Sequence, residues 1–119
     1  MKQDRNQILR DVRAFLKWAK SELGIQGPVR VHLRGQRLTG GSHTSFGGFD
    51  LEDHSITISY SDRHIMDILR TLAHELVHAR QHQTRPMNSR DGQTGSDAEN
   101  EANALAGVLM RKWADKVST

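Results

Sequence analysis

A single amphipathic helix is predicted by residues 61–82, which read SDRHIMDILRTLAHELVHARQH. Apolar side chains recur there at the i, i+3, i+4 and i+7 spacing of a core-facing stripe: Ile65, Ile68, Leu69, Leu72, Ala73 and Leu76. Ser61 is the expected N-cap, and Asp62 stands in the expected first turn. Counted at about 100° per residue, His74 and His78 fall on the face opposite this stripe. The helix therefore has one face for the core and a second that presents two imidazoles.

The second face carries the pattern H-E-x-x-H, with His74, Glu75 and His78 at its fixed positions. Imidazoles four residues apart on a helix project from the same side, about 6 Å apart along the axis, and can both bind one Zn²⁺. Glu75 then lies beside the metal, where a carboxylate can accept a proton from a metal-activated water. The alternative is a surface helix with two histidines, although only about 0.02 matches are expected by chance at this composition.

A catalytic zinc site needs a third protein ligand and one open position. His82 extends the row of histidines, but about 12 Å of helix separates it from His74, too far for both to bind one ion. The metzincin pattern is also excluded, because it requires a glycine and a histidine where this chain has Gln81 and Thr84. The third ligand is therefore expected further along the chain.

A second helix is predicted from residue 95 to residue 110, and it opens with a capping box formed by Ser96 and Glu99. Asp97, Glu99 and Glu101 are its candidate ligands. On a helical projection Glu101 shares a face with apolar residues, whereas Glu99 lies about 160° away and already has a capping role. These apolar residues are Ala98, Ala104, Leu105, Val108 and Leu109. A carboxylate on an apolar face is costly unless it is paired or binds a metal.

Glu101 is accordingly the predicted third ligand, and a partly exposed salt bridge at the helix start is the alternative interpretation. Asp97 shares its face and is a candidate partner that orients a ligating histidine.

Residues 98–106, AENEANALA, resemble the E-x-E-A-N-x-F-A segment of ImmA/IrrE-type metallopeptidases. Within them, residues 100–102 are similar to the N-E-A of thermolysin-like peptidases. Together with H-E-x-x-H, this pattern resembles the gluzincins, in which the matching glutamate, here Glu101, is the third zinc ligand. The resemblance covers residues 55–110 and implies a minimal zincin-like fold that holds one Zn²⁺ per chain.

The rest of the chain predicts an α+β domain with a small, three-stranded, mostly antiparallel sheet. The predicted elements are a helix at residues 3–23 that ends at Gly24, a strand at 29–33, and a hairpin of strands 45–51 and 55–60. Residues 40–44 are expected to form a flexible loop, and residues 83–95 a connection long enough to rim a cleft.

The composition predicts one domain, residues 1–119, without disulfides or thiolate metal ligands, since cysteine is absent. No apolar run approaches the ~18 residues of a membrane span, and the first helix is charged, unlike a signal peptide. A cytoplasmic protein without membrane contact is therefore expected, and the resemblance suggests a bacterial, phage or mobile-element setting.

The net charge is +3, and the first helix has a basic stripe of Arg10, Arg13, Lys17 and Lys20. A solvated helix face is the favoured interpretation of this stripe. Contact with nucleic acid is the less favoured alternative.

These patterns predict a zinc-dependent endopeptidase that acts on a protein or peptide, with His74, His78 and Glu101 as ligands and Glu75 as general base. The group that stabilises the oxyanion stays open among Tyr60, His82, His43 and an arginine of the 83–95 connection.

The same sequence patterns allow two alternative functions. One is a SprT-like protease that acts on DNA-associated proteins, although no histidine follows His82 to serve as its usual third ligand. The other is a non-catalytic, zinc-bearing regulatory module, in which the metal only holds the helices together.

Overall fold

The computed structural model describes residues 5–35, 38–40, 43–45, 47–50, 52–84 and 97–118. The elements in these ranges are α1 (Arg5–Leu23), β1 (Arg30–Arg34), β2 (Leu38–Gly40), β3 (His43–Ser45), β4 (Gly47–Asp50), β5 (Ser55–Ser59), α2 (Ile65–Thr84) and α3 (Asp97–Val117). The predicted α+β class is confirmed. No helix in these ranges is long and apolar enough to cross a lipid bilayer.

The larger sheet is mixed and has the strand order β1-β5-β4. β4 and β5 form the predicted antiparallel hairpin, with Phe49 opposite Ile56, whereas β1 pairs with β5 in parallel, with Val31 opposite Ile56. The expectation of a mostly antiparallel sheet is wrong because three strands separate β1 from β5 in the chain, and so long a connection allows a parallel neighbour. Two of those strands, β2 and β3, pair with each other where residues 40–44 were expected to form a loop.

The hydrophobic core lies between this sheet and the three helices. β5 contributes Ile56 and Ile58, and neither has accessible surface. The helices contribute their apolar rows, which include Ile8, Val12, Phe15 and Ala19 of α1, Ile68, Leu69, Leu72, Ala73, Leu76 and Val77 of α2, and Ala102, Ala106, Leu109, Met110 and Trp113 of α3. The apolar periodicity of α1 and α2 therefore identifies the faces that these helices bury.

α2 begins at Ile65, later than the sequence suggested. Asp62 has a φ of 56°, in the left-handed region, so the helix does not pass through it. His64 is the N-cap instead, because its Nδ1 accepts a hydrogen bond from the Met66 amide at 3.0 Å and its carbonyl accepts from the Ile68 amide at 3.1 Å. The prediction of Ser61 as N-cap is wrong.

α3 buries a different face from the predicted one. Its inward row is Ala98, Ala102, Ala106, Leu109, Met110 and Trp113, whereas Ala104 is exposed and Leu105 only half-buried. The alanines at every fourth position bring the backbone of α3 close to α2, which is the largest interface between elements. The predicted N-cap Ser96 and residues 85–96 of the predicted connection lie outside the described residues, while Gln83 and Thr84 belong to α2.

Candidate metal centre

α2 presents three polar side chains toward α3 on successive turns. His74 is half-buried, and His78 and Gln81 are buried. The Nε2 atoms of the two histidines lie 3.2 Å apart, because a spacing of four residues places both rings on one side of the helix. The rings meet edge to face, with their centroids 4.8 Å apart.

Within the described part of the chain, the carboxylate nearest to these imidazoles belongs to Glu99, in the first turn of α3. Its Oε1 lies 2.8 Å from Nε2 of His74, and its Oε2 lies 3.0 Å from Nε2 of His78. Tetrahedral zinc, with ligands at about 2.0–2.1 Å, separates its ligand atoms by about 3.3 Å, so the cluster has nearly this spacing. Among the described residues, His74, His78 and Glu99 therefore form a cluster that could hold a metal ion.

Glu101, the predicted third ligand, stands outside this cluster. It is exposed, and its Oε1 accepts a hydrogen bond from Nε2 of Gln81 at 2.9 Å. The prediction of an inward Glu101 is wrong, because the buried row of α3 is centred near Ala102. On a helical projection Glu99 lies about 50° from the centre of that row and Glu101 about 110° from it. The repeat of alanine at 98, 102 and 106 is the sequence pattern that indicates the buried face of α3. The predicted capping role of Glu99 explained that residue without this pattern, so Glu99 was not chosen as the ligand.

Each imidazole also has an amide partner, and neither partner was predicted from the sequence. Nδ1 of His78 lies 2.8 Å from Oε1 of Gln81, while the side chain of Asn103 lies near His74 and acts to raise the pKa of that imidazole. The predicted orienting residue, Asp97, is exposed at the start of α3. Residues three apart share a helix face, so the position of Gln81 three residues after His78 is the sequence pattern that could have identified it as the partner of this imidazole.

Glu75 is a buried acid, with only 8% of its surface exposed. β4 covers it, since a Cβ added to Gly47 would lie 3.7 Å from its Cγ. Burial raises the pKa of Glu75 to about 7, and the charge of His78 opposes this shift while that of Glu99 adds to it. A carboxyl group in this condition can exchange a proton near neutral pH.

Burial also acts on His74. It lowers the pKa of that imidazole, against the opposing attraction of Glu99. The two shifts therefore favour the neutral forms of Glu75 and His74.

The side chains that the sequence suggested for stabilising an oxyanion either contact other groups or lie outside the described residues. The His82 ring packs on those of His54 and Phe49, with centroids 5.0 and 6.2 Å away. Tyr60 is half-buried, and its hydroxyl lies beside Gly35 at the end of β1. The His43 side chain and the arginines of residues 85–95 lie outside the described residues. The role stays unassigned.

Comparison with models of known protein families gives no match to this chain, and comparisons with curated proteins and with solved structures give no significant match. The assignment of a function therefore depends on the residues of the site.

Proposed function

We propose that this chain is a zinc-dependent endopeptidase of the gluzincin type, with a minimal zincin-like domain. In this proposal His74, His78 and Glu99 bind one Zn²⁺ and Glu75 is the general base. The observation that carries it is the convergence of two imidazole nitrogens and a carboxylate within 2.8–3.2 Å of one another.

The hydrogen bonds of Gln81 support a cation at this cluster, because they determine which nitrogen of His78 carries the proton. Its NH₂ group donates to two oxygens, the carbonyl of Ala98 and Oε1 of Glu101, both at 2.9 Å. Its Oε1 must then be the atom that faces His78, and Nδ1 of His78 must be the donor. A neutral His78 therefore carries its lone pair on Nε2.

That lone pair is directed into the cluster, 3.0 Å from Glu99 and 3.2 Å from His74. Electron-pair donors this close repel one another unless a proton or a metal ion lies between them. A single divalent cation can satisfy all three side chains at once, whereas one proton can bridge only two of them. This favours the metal over a network of protons alone.

The chemistry of the three proposed ligands also favours a catalytic zinc site. Two histidines and one glutamate, with no thiolate, form the set of catalytic zinc sites, which leave a fourth position for water or substrate. Zinc in such a site supplies Lewis-acid activation to the water nucleophile and to the scissile carbonyl.

The position of Glu75 beside the proposed ligands supports a role in proton transfer. It adjoins His74 on α2, and its charge interacts with those of His78 and Glu99. In the proposed reaction its carboxylate accepts the proton of the attacking water and delivers it to the leaving amine. Its cover by β4 limits exchange of that proton with bulk water.

The substitution Glu75→Gln separates an enzyme from a metal-bearing module. We expect the variant to keep one zinc per chain and to cleave unfolded casein at least ~10²-fold more slowly, because the amide cannot accept the proton. Glu52→Gln, an exposed carboxylate in the turn between β4 and β5, is the matched control and should cleave like the wild type.

Two results would overturn the proposal. Equal cleavage by Glu75→Gln and the wild type would remove Glu75 as the base. Zinc-loaded wild type that leaves casein and a broad mixture of peptides intact would instead favour the non-catalytic regulatory module.

A further inference from the structure

We propose that Gln81 is a positioning residue that fixes the His78 tautomer and holds the first turn of α3, which carries Glu99, against α2. The proposal rests on the metal site proposed above. Gln81 makes three hydrogen bonds, one to a ligating imidazole on its own helix and two to the opposite helix. It therefore connects the two elements that supply the ligands.

The first effect concerns His78. In solution a neutral imidazole exchanges its proton between Nδ1 and Nε2, and only the nitrogen without the proton can bind a metal ion. The Oε1 of Gln81, 2.8 Å from Nδ1, can only accept a hydrogen bond. It holds the proton on Nδ1 and leaves Nε2 free for the metal, while limiting rotation of the ring.

The second effect concerns Glu99. Nε2 of Gln81 donates to the carbonyl oxygen of Ala98, which belongs to the peptide group that joins Ala98 to Glu99. The second hydrogen bond that Nε2 of Gln81 donates, to Oε1 of Glu101, holds the next turn of α3. The start of α3, and with it the Glu99 carboxylate, is thereby held opposite His74 and His78.

Burial makes these bonds difficult to replace. Gln81 is only 7% exposed, so solvent cannot readily supply substitutes for its partners. An apolar residue here would leave His78 Nδ1 without its acceptor, and the Glu99 carboxylate, 3.0 Å from Nε2, would then favour the tautomer with the proton on Nε2. The metal site would then lose its preorganisation while its three ligands remained present.

The variant Gln81→Met tests both effects, because methionine has a similar length without the amide. Gln83→Met is the matched control, since Gln83 also forms two hydrogen bonds, with the backbone of Gln26, but lies outside the cluster. Both variants are expected to lose some stability. Zinc affinity, measured by competition with a chromophoric chelator, should fall about 10–100-fold only in Gln81→Met.

The His78 tautomer is a second readout that a purely structural role would leave unchanged. ¹⁵N NMR of the metal-free protein at about pH 8, where imidazoles are largely neutral, should show the proton of His78 on Nδ1 in the wild type. Gln81→Glu keeps the acceptor and should keep this tautomer even though it loses both donors. Gln81→Met should move the proton toward Nε2, because Glu99 is then the acceptor that remains beside the ring.

A wild-type His78 protonated on Nε2 would overturn the proposal, and so would equal zinc affinities for Gln81→Met and Gln83→Met. If Gln81→Met does not fold, the tautomers of the wild type and of Gln81→Glu still decide. A wild type that binds no zinc would refute the metal site, whereas the NMR result would still decide whether Gln81 orients His78.

Discussion

At the scale of single residues, Gly47 is a position where β4 lies directly against Thr71 and Glu75 of α2. A Cβ at this position would overlap with Cγ2 of Thr71 and would lie 3.4 Å from the carbonyl oxygen of Thr57. Thr71 cannot simply turn away, because its hydroxyl bonds with the side chain of Arg63 and the carbonyl oxygen of Asp67. The absence of a side chain at 47 is what lets the strand cover Glu75.

We expect Gly47→Ala to destabilise the fold by about 1–3 kcal/mol, because it forces an atom into a filled space. Gly48→Ala is the control, since a Cβ there meets nothing within 4 Å, and it should be neutral or slightly stabilising. Adding Thr71→Ser removes the obstructing methyl, keeps the hydroxyl, and should recover most of the loss. Urea unfolding measures all three, and equal stabilities for Gly47→Ala and Gly48→Ala would contradict the account.

The sequence predicts two members of the candidate metal cluster but not the third. His74 and His78 follow from a spacing within one helix, which local geometry determines completely. The choice between Glu99 and Glu101 depends on how α3 is rotated against α2, and that rotation depends on packing across the interface. Large residues such as Leu105 suggested one face, whereas the close approach of the helices selects the alanines.

At the scale of elements, α2 shows how a turn can move the start of a helix. Ser61 has a favoured N-cap residue type and precedes the apolar row, yet the left-handed backbone at Asp62 delays the helix. His64 then caps it through Nδ1, a role that residue preference alone does not indicate. The parallel pairing of β1 with β5 also could not be predicted from the sequence, because the residue pattern of a strand does not specify which strand lies beside it.

Removal of this cap should weaken α2. We expect His64→Ala to cost about 1 kcal/mol of unfolding free energy and His64→Asn to retain most of it, since asparagine can accept the same amide hydrogen bond. Ser61→Ala is the control and should stay within about 0.5 kcal/mol of the wild type. Thermal or urea unfolding decides, and a larger loss from Ser61→Ala than from His64→Ala would restore the cap that the sequence suggested.

At the scale of the whole molecule, side chains near both ends of α3 make specific contacts with the other helices, in addition to the alanine row between them. Its first turn meets α2 through Glu99 and Gln81. Near its other end, Trp113 packs against Phe15 and Trp18 of α1, with ring centroids 5.3 Å away in both pairs. Aromatic contacts of this kind stabilise the fold, so packing by itself can hold the proposed ligands close together.

The most direct test of this account is the zinc content of the purified, zinc-reconstituted protein, measured by elemental analysis beside Glu99→Ala and Glu101→Ala. We expect one zinc per chain in the wild type and in Glu101→Ala, and little or none in Glu99→Ala, because Glu99, unlike Glu101, places its carboxylate against both imidazoles. A wild type without zinc would contradict the metal centre. Loss of zinc in Glu101→Ala with retention in Glu99→Ala would contradict the ligand set and return the third position to Glu101.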